Sequence, residues 1–301
     1  MASLWMGNWS KIDIADDKSR PWGGFFCIVK CSFAKDICMI MFDEADFDYK
    51  KYGFREVVKD GVNLSFLDIK KSNSQFKKGS YRIVSCHNLF LDRKLTALVR
   101  ENIKQFLKQL IKVLNIKKNA NVLVCGLGNI DIMADSLGER TCKKVFASRQ
   151  FSNSLITSKV CSIFPSVQAI TGINTFEIVY AVAKKIKADL IILIDSLLTN
   201  NILRIGHSFQ LSTVGITPGG GVRENKEICF ETTSVPCISI GVPLMLDLKD
   251  ISSEINKSMI VASKDIKMLV ERCSGLIADA INEVLNPKLK KEDIMELINT
   301  F

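Results

Sequence analysis

Histidine is the scarcest chemistry-bearing residue in this chain: His87 and His207 are the only two among 301 residues. A metal site built from several histidines is therefore excluded, and His207 reads as structural or exposed rather than as a ligand. Other signatures are missing too. No Gly-x-Ser-x-Gly elbow supports a Ser-His-Asp triad. No GKS or GKT closes a Walker loop. No paired Cys-x-x-Cys motifs occur, and Cys27 and Cys31 have no histidine beside them. The greasiest run, Phe25 to Phe42, is broken by Lys30, Lys35 and Asp36. It reads as a buried strand pair or a partner-facing surface, not as a membrane span. The N-terminus lacks a signal-peptide layout, and no internal repeat or low-complexity segment stands out.

What is present suits a globular α/β protein. Hydrophobic residues make up 47% of the chain, ample for a large core. The net charge of +9 comes mainly from lysines spread along the chain. Without an arginine-rich or aromatic-interleaved tract, this reads as a solvated basic surface, and no direct nucleic-acid partner is expected. Most of the ten cysteines, such as Cys125 and Cys237, lie in apolar runs. They read as buried thiols in a reducing cytoplasm. Residues 1–55 carry all three tryptophans and show little periodicity. They read as an N-terminal extension, with 56–301 forming a single α/β domain.

From Tyr81 the pattern sharpens. YRIVSC reads as a strand, and the segment from Leu91 to Leu114 has helical apolar spacing with a lysine-rich outer face. NVLVCGLGN, DLIILID and SVPCISIGVP are apolar runs without alternation. TFEIVYAVAKKIKA and the segment from Lys264 to Pro287 read as helices, the latter stopped by Pro287. Non-alternating strands separated by helices predict a three-layer α/β/α fold with a mostly parallel central sheet, phosphorylase/hydrolase-like.

In such a sheet, reacting groups gather at the carboxyl ends of strands. Two acids fall there: Asp195 at the end of DLIILID, and Asp135 just after VLVCGLGN. Taken singly, each reads better as a helix N-cap. Taken together, they make a shared acid–base site, because two nearby carboxyls cannot both ionise easily. The charged one can activate water and the protonated one can donate to a leaving group. The glycine loop before Asp135 is a poor dinucleotide fingerprint. Asp131 stands where a third glycine is wanted after Gly126 and Gly128. Its backbone N–H groups remain available to an oxyanion. A second glycine cluster, Thr217 to Asn225, lies between two apolar segments and reads as a site-lining loop.

These segments resemble the germination protease (spore protease) family. The stretch from Val122 to Arg149 is similar to its strand–GLGN–Asp–LG segment, and the stretch from Ser166 to Asn200 to its TG-hydrophobic segment and its strand ending in Ile-Asp. QLSTVGITPGGGV and PCISIGVPLMLD look like its Pro-Gly-x-Gly-Val loop and Ile-Gly-Val-Pro strand. The likeness covers roughly Gly61 to Pro287. It implies a fold related to hydrogenase maturation endopeptidases. It also implies an endopeptidase in the cytoplasm of the spore core that degrades small acid-soluble DNA-binding proteins at germination. It implies a homotetramer and a zymogen, with no cofactor or metal. The family's two essential aspartates fall on Asp135 and Asp195, and Gly126, Gly128, Asn129, Gly219, Gly220 and Gly221 would hold the substrate chain. The chain departs from the family pattern at Glu139, Asn200, Thr213, Val214 and Thr217. Two other readings stand beside it. One is a peptidyl-tRNA-hydrolase-like enzyme, prompted by GLGN and the net charge. The other is a catalytically inactive oligomeric binding protein, prompted by those departures.

Overall fold

A computed structural model describes residues 26–29, 53–73, 76–151, 154–218, 226–248 and 260–300. The expected parallel strands form its centre. β5 (Asn121–Gly126) lies between β6 (Lys159–Ile163) and β7 (Leu190–Thr199), and β7 pairs with β9 (Cys237–Asp247). All three of these ladders are parallel. The remaining strands are antiparallel and extend the sheet beyond β9. β8 (Ser208–Ser212) pairs with β9 and with β4 (Gly79–Ser85), followed by β3 (Val62–Ile69) and β2 (Arg55–Lys59). β10 (Ile260–Ser263) also joins β9, and β1 (Phe26–Val29) joins β10. The ten-stranded sheet is thus mixed, with a parallel core. The physical reason is connection length: short turns let β2, β3 and β4 form a meander, whereas parallel neighbours need a crossover. Of the apolar run from Phe25 to Phe42, only residues 26–29 lie within the described residues.

Helices cover both faces, as a three-layer fold requires. α1 (Arg93–Val113) and α6 (Ile266–Leu285) lie on one face. There Phe106, Leu107 and Leu110 of α1 share a core with Ile192 and Ile194 of β7, Ile240 of β9, and Cys273, Ile277 and Ile281 of α6. Arg100 and Lys104 of α1 reach Glu283 of α6, each at 3.1 Å. The lysine-rich side of α1 therefore partly serves to bind α6. On the other face, α4 (Thr175–Ile186) packs Phe176, Val179 and Ala183 on Leu123, Cys125, Ile191 and Leu193. Asn174 caps α4 by accepting the Phe176 N–H at 2.9 Å. A further cluster on β3 and β4 gathers Leu67, Tyr81, Ile83 and Val214.

The minor helices are short. α2 (Leu137–Cys142) follows β5, α3 (Gln168–Thr171) follows β6, α5 (Phe230–Thr233) precedes β9, and α7 (Lys291–Thr300) follows α6. Cys125 and Cys237 are buried free thiols, as their apolar runs imply. None of the described helices is long and apolar enough to cross a membrane.

Candidate active site

β7 does not stop at its aspartate. The ladder with β9 continues through Asp195, Ser196 and Leu197, and after a register shift reaches Thr199 opposite Leu246. The shift follows Pro243, which has no N–H to give to the ladder. Asp195 is therefore not a helix cap. It is a carboxyl within a strand, 3% exposed, in an otherwise apolar run. Its Oδ1 accepts the Ser196 N–H at 2.9 Å.

Asp135 is not a helix cap either. It ends a one-turn 3-10 helix, Met133–Asp135, and Ser136 occupies the cap position of α2 without a side-chain capping bond. The Asp135 carboxyl turns back instead, and Oδ2 accepts the Asn129 N–H at 2.7 Å. The glycines make this return feasible. Gly128 has φ +102, and a Cβ there would lie 2.1 Å from the Asp135 carbonyl oxygen and 2.9 Å from Oδ1. Gly126 and Gly138 meet backbone to backbone, since a Cβ on Gly126 would lie 2.3 Å from the Gly138 carbonyl carbon. Leu127, between the two loop glycines, donates its N–H to Ile194 O at 2.8 Å. The loop is thus stitched to the residue preceding Asp195.

The two acids share one electrostatic site. Burial, and then the negative charge of Asp195, push the Asp135 carboxyl well above the ordinary carboxylate range, against the opposing pull of the Asn129 N–H. The same Asp195 charge adds to burial in pushing the Cys125 thiol up. Burial and the neighbouring like charge thus favour the protonated form of Asp135. Among the described residues, no group of three or more His, Cys, Asp or Glu gathers as metal ligands.

Gly126, Gly128 and Asn129 thus lie beside the acid pair, but the N–H groups of Leu127 and Asn129 are already given to protein acceptors. The loop is shaped to seat Asp135 rather than to cradle a phosphate. Gly219, Gly220 and Gly221 lie outside the described residues. His207 is half-buried, its ring 6.2 Å from that of His87. Burial, and then His87, lower its pKa.

Sequence reasoning passed over β8. Its polar residues Ser208, Gln210 and Ser212 alternate with Phe209 and Leu211, a pattern that reads as a half-solvated strand. All five residues are buried. Arg204, in the turn after β7, was passed over as well; burial lowers its pKa to about 10.

Comparison with known proteins places these features in context. A family model described as germination protease matches residues 40–257. A germination protease of Priestia megaterium is 34% identical over 213 residues, which is 66% of this chain and 57% of that protein. One from Clostridium tetani is 31% identical over 249 residues, covering 66% and 77%. One from Caldanaerobacter subterraneus is 28% identical over 300 residues, covering 81% and 91%. The match to the Priestia megaterium protein and to one from Geobacillus spans little more than half of their length, 57% and 55%. Among solved structures, a nickel–iron hydrogenase maturation protease from Thermococcus kodakarensis matches 58% of this chain and 98% of its own at 16% identity, with a TM-score of 0.34.

Proposed function

Because this chain belongs to the germination protease family, we propose that it is an endopeptidase that cleaves small acid-soluble spore proteins with an aspartate pair, Asp135 and Asp195. The observation that supports the reading is the geometry around the two acids: Asp135 turns back to accept the Asn129 N–H, and the same loop is bonded through Leu127 to Ile194, the residue before the buried Asp195.

The roles follow from the upward push on the Asp135 carboxyl. Asp195, ionised, takes a proton from a water molecule, and the resulting hydroxide attacks the carbonyl carbon of the scissile amide. As the C–N bond breaks, protonated Asp135 gives its proton to the departing nitrogen. The proton taken up by Asp195 then returns to Asp135 through solvent, restoring the starting state. Gly126, Gly128 and Asn129 hold Asp135 in place, and Gly219 to Gly221 would line the path of the substrate chain. Exposed Ile130, Phe164, Ile202 and Leu203 lie on the loops after β5, β6 and β7 and offer apolar contact to a polypeptide. Homotetramer assembly, synthesis as a zymogen and residence in the spore core belong to the same proposal. No metal or other cofactor enters it.

The test is cleavage of a purified small acid-soluble spore protein by wild type, Asp135→Asn and Asp195→Asn. Each variant is expected to lose at least about 100-fold in kcat while keeping its fold, the usual worth of a general acid or base. Wild-type rates in both folded variants would rule out the pair.

A further inference from the structure

The sheet face under α4 carries two apolar clusters with a polar stripe between them. Leu123, Cys125, Ile191 and Leu193 form one cluster, and Leu67, Tyr81, Ile83 and Val214 the other. β8 and β9 run between. On β8, Phe209 and Leu211 point into the α1–α6 core, so strand alternation sends Ser208, Gln210 and Ser212 to the opposite face. There the exposures are 1% for Ser208, 1% for Gln210 and 0% for Ser212. Among the described residues, the Oγ atoms of both serines and Oε1 of Gln210 find no hydrogen-bond partner. Ser239, beside them on β9, is satisfied, donating to Val214 O at 2.6 Å.

Unpartnered buried oxygens are rare, and ordered water is their usual partner. Three on alternate positions of one strand form a continuous row. An apolar strand would fill the same space without leaving any polar atom to satisfy.

Strand register ties this row to the acid pair. Gln210 stands opposite Gly241, and Gly241 stands opposite Asp195. Directly opposed residues share a face, so Gln210 and Asp195 point the same way from strands about 9.5 Å apart, two inter-strand spacings. Gly241 itself carries no side chain, and Leu197 packs over it, its Cδ1 2.6 Å from where a Cβ would be.

We propose that this row is an internal water site, with Gln210 as the positioning residue. Gln210 Oε1 accepts a hydrogen bond from an ordered water at the Asp195 end, and Ser208 and Ser212 continue the site along β8. Its catalytic part rests on the aspartate-pair reading: the water held by Gln210 supports the one that Asp195 deprotonates. Its structural part does not.

The test uses the full chain and two readouts. A high-resolution crystal structure of wild type is expected to show water within about 3.2 Å of Gln210 Oε1, and that of Gln210→Met, similar in length but without the acceptor, is expected to lack it. In cleavage assays Gln210→Met is expected to lose roughly tenfold in kcat, the worth of one hydrogen bond, with KM and the melting temperature held. Gln210→Glu, which keeps an acceptor, should retain the water. A dry row in a wild-type crystal that shows ordered water elsewhere would overturn the proposal. So would an unchanged kcat in Gln210→Met while Asp195→Asn is inactive, and in that case the aspartate pair still stands. Full activity in Asp195→Asn would instead remove the aspartate pair, and the crystallographic water would still decide the structural part.

Discussion

At the scale of single residues, Asp135 sets activity against stability. Its folded pKa is raised above the ordinary value of 3.8, so the sign of the linkage follows directly. Below that value both folded and unfolded chains hold the proton, and Asp135 makes stability independent of pH. Above it the unfolded chain ionises while the folded chain keeps its proton, so stability falls as pH rises toward the folded pKa. Asn at this position still offers an oxygen to the Asn129 N–H and carries no titratable proton. Asp135→Asn is therefore expected to be more stable than wild type at pH 7, by about 1 kcal/mol, the scale of a poorly compensated buried polar group. The difference should close near pH 4. Urea melts at the two pH values measure this. An Asp135→Asn protein less stable than wild type at pH 7 would contradict the environment assigned to the carboxyl.

At the scale of elements, the segment from β5 to α2 works as one device. Gly128 sits at φ +102 against the backbone of Asp135, and Gly126 against Gly138. Gly128→Ala brings a methyl group into the Asp135 carbonyl, and the only relief is to move the acid. Its expected outcome is a loss of at least about 100-fold in kcat, together with about 1 to 3 kcal/mol of stability from backbone strain. Gly172→Ala is the control. It shares a positive φ of +72, but nothing lies within 4 Å of the added carbon. It should cost only about 1 kcal/mol and leave kcat unaltered. Equal losses of kcat in the two variants would mean that left-handed strain, not contact with Asp135, governs the loop.

The same segment shows what local pattern can convey. A glycine pair after an apolar strand, followed by an acid, was enough to single out Asp135 as a candidate. The cap readings of Asp135 and Asp195 failed for a tertiary reason. β9 offers β7 a ladder partner beyond Asp195, so SLLT becomes strand instead of helix. The β8 row was passed over for a related reason: alternation reports two different faces, but not whether both are covered.

At the scale of the whole molecule, the parallel core, the antiparallel extension and the two helical layers form one continuous support for the acid pair. Some of the basic residues link elements. Lys144 holds Glu271 at 2.7 Å, and Arg100 and Lys104 hold Glu283. Hydrolysis by a pair of carboxyls needs no Lewis acid. Exhaustive chelation is accordingly expected to leave kcat within about twofold, measured on the same protein substrate. Loss of activity that returns with one divalent metal would require a different chemistry.

The sequence by itself determined the materials: apolar strands buried on both faces, amphipathic helices between them, and two acids in or just after apolar core runs. Those follow from side-chain periodicity and burial, which are local properties. Tertiary structure alone decided that the Asp135 carboxyl is pushed above the ordinary carboxylate range, because that depends on burial and on the charge of Asp195 nearby. It also decided that Gln210 faces the interior in the row of Asp195, since strand register is a property of paired strands and not of either one.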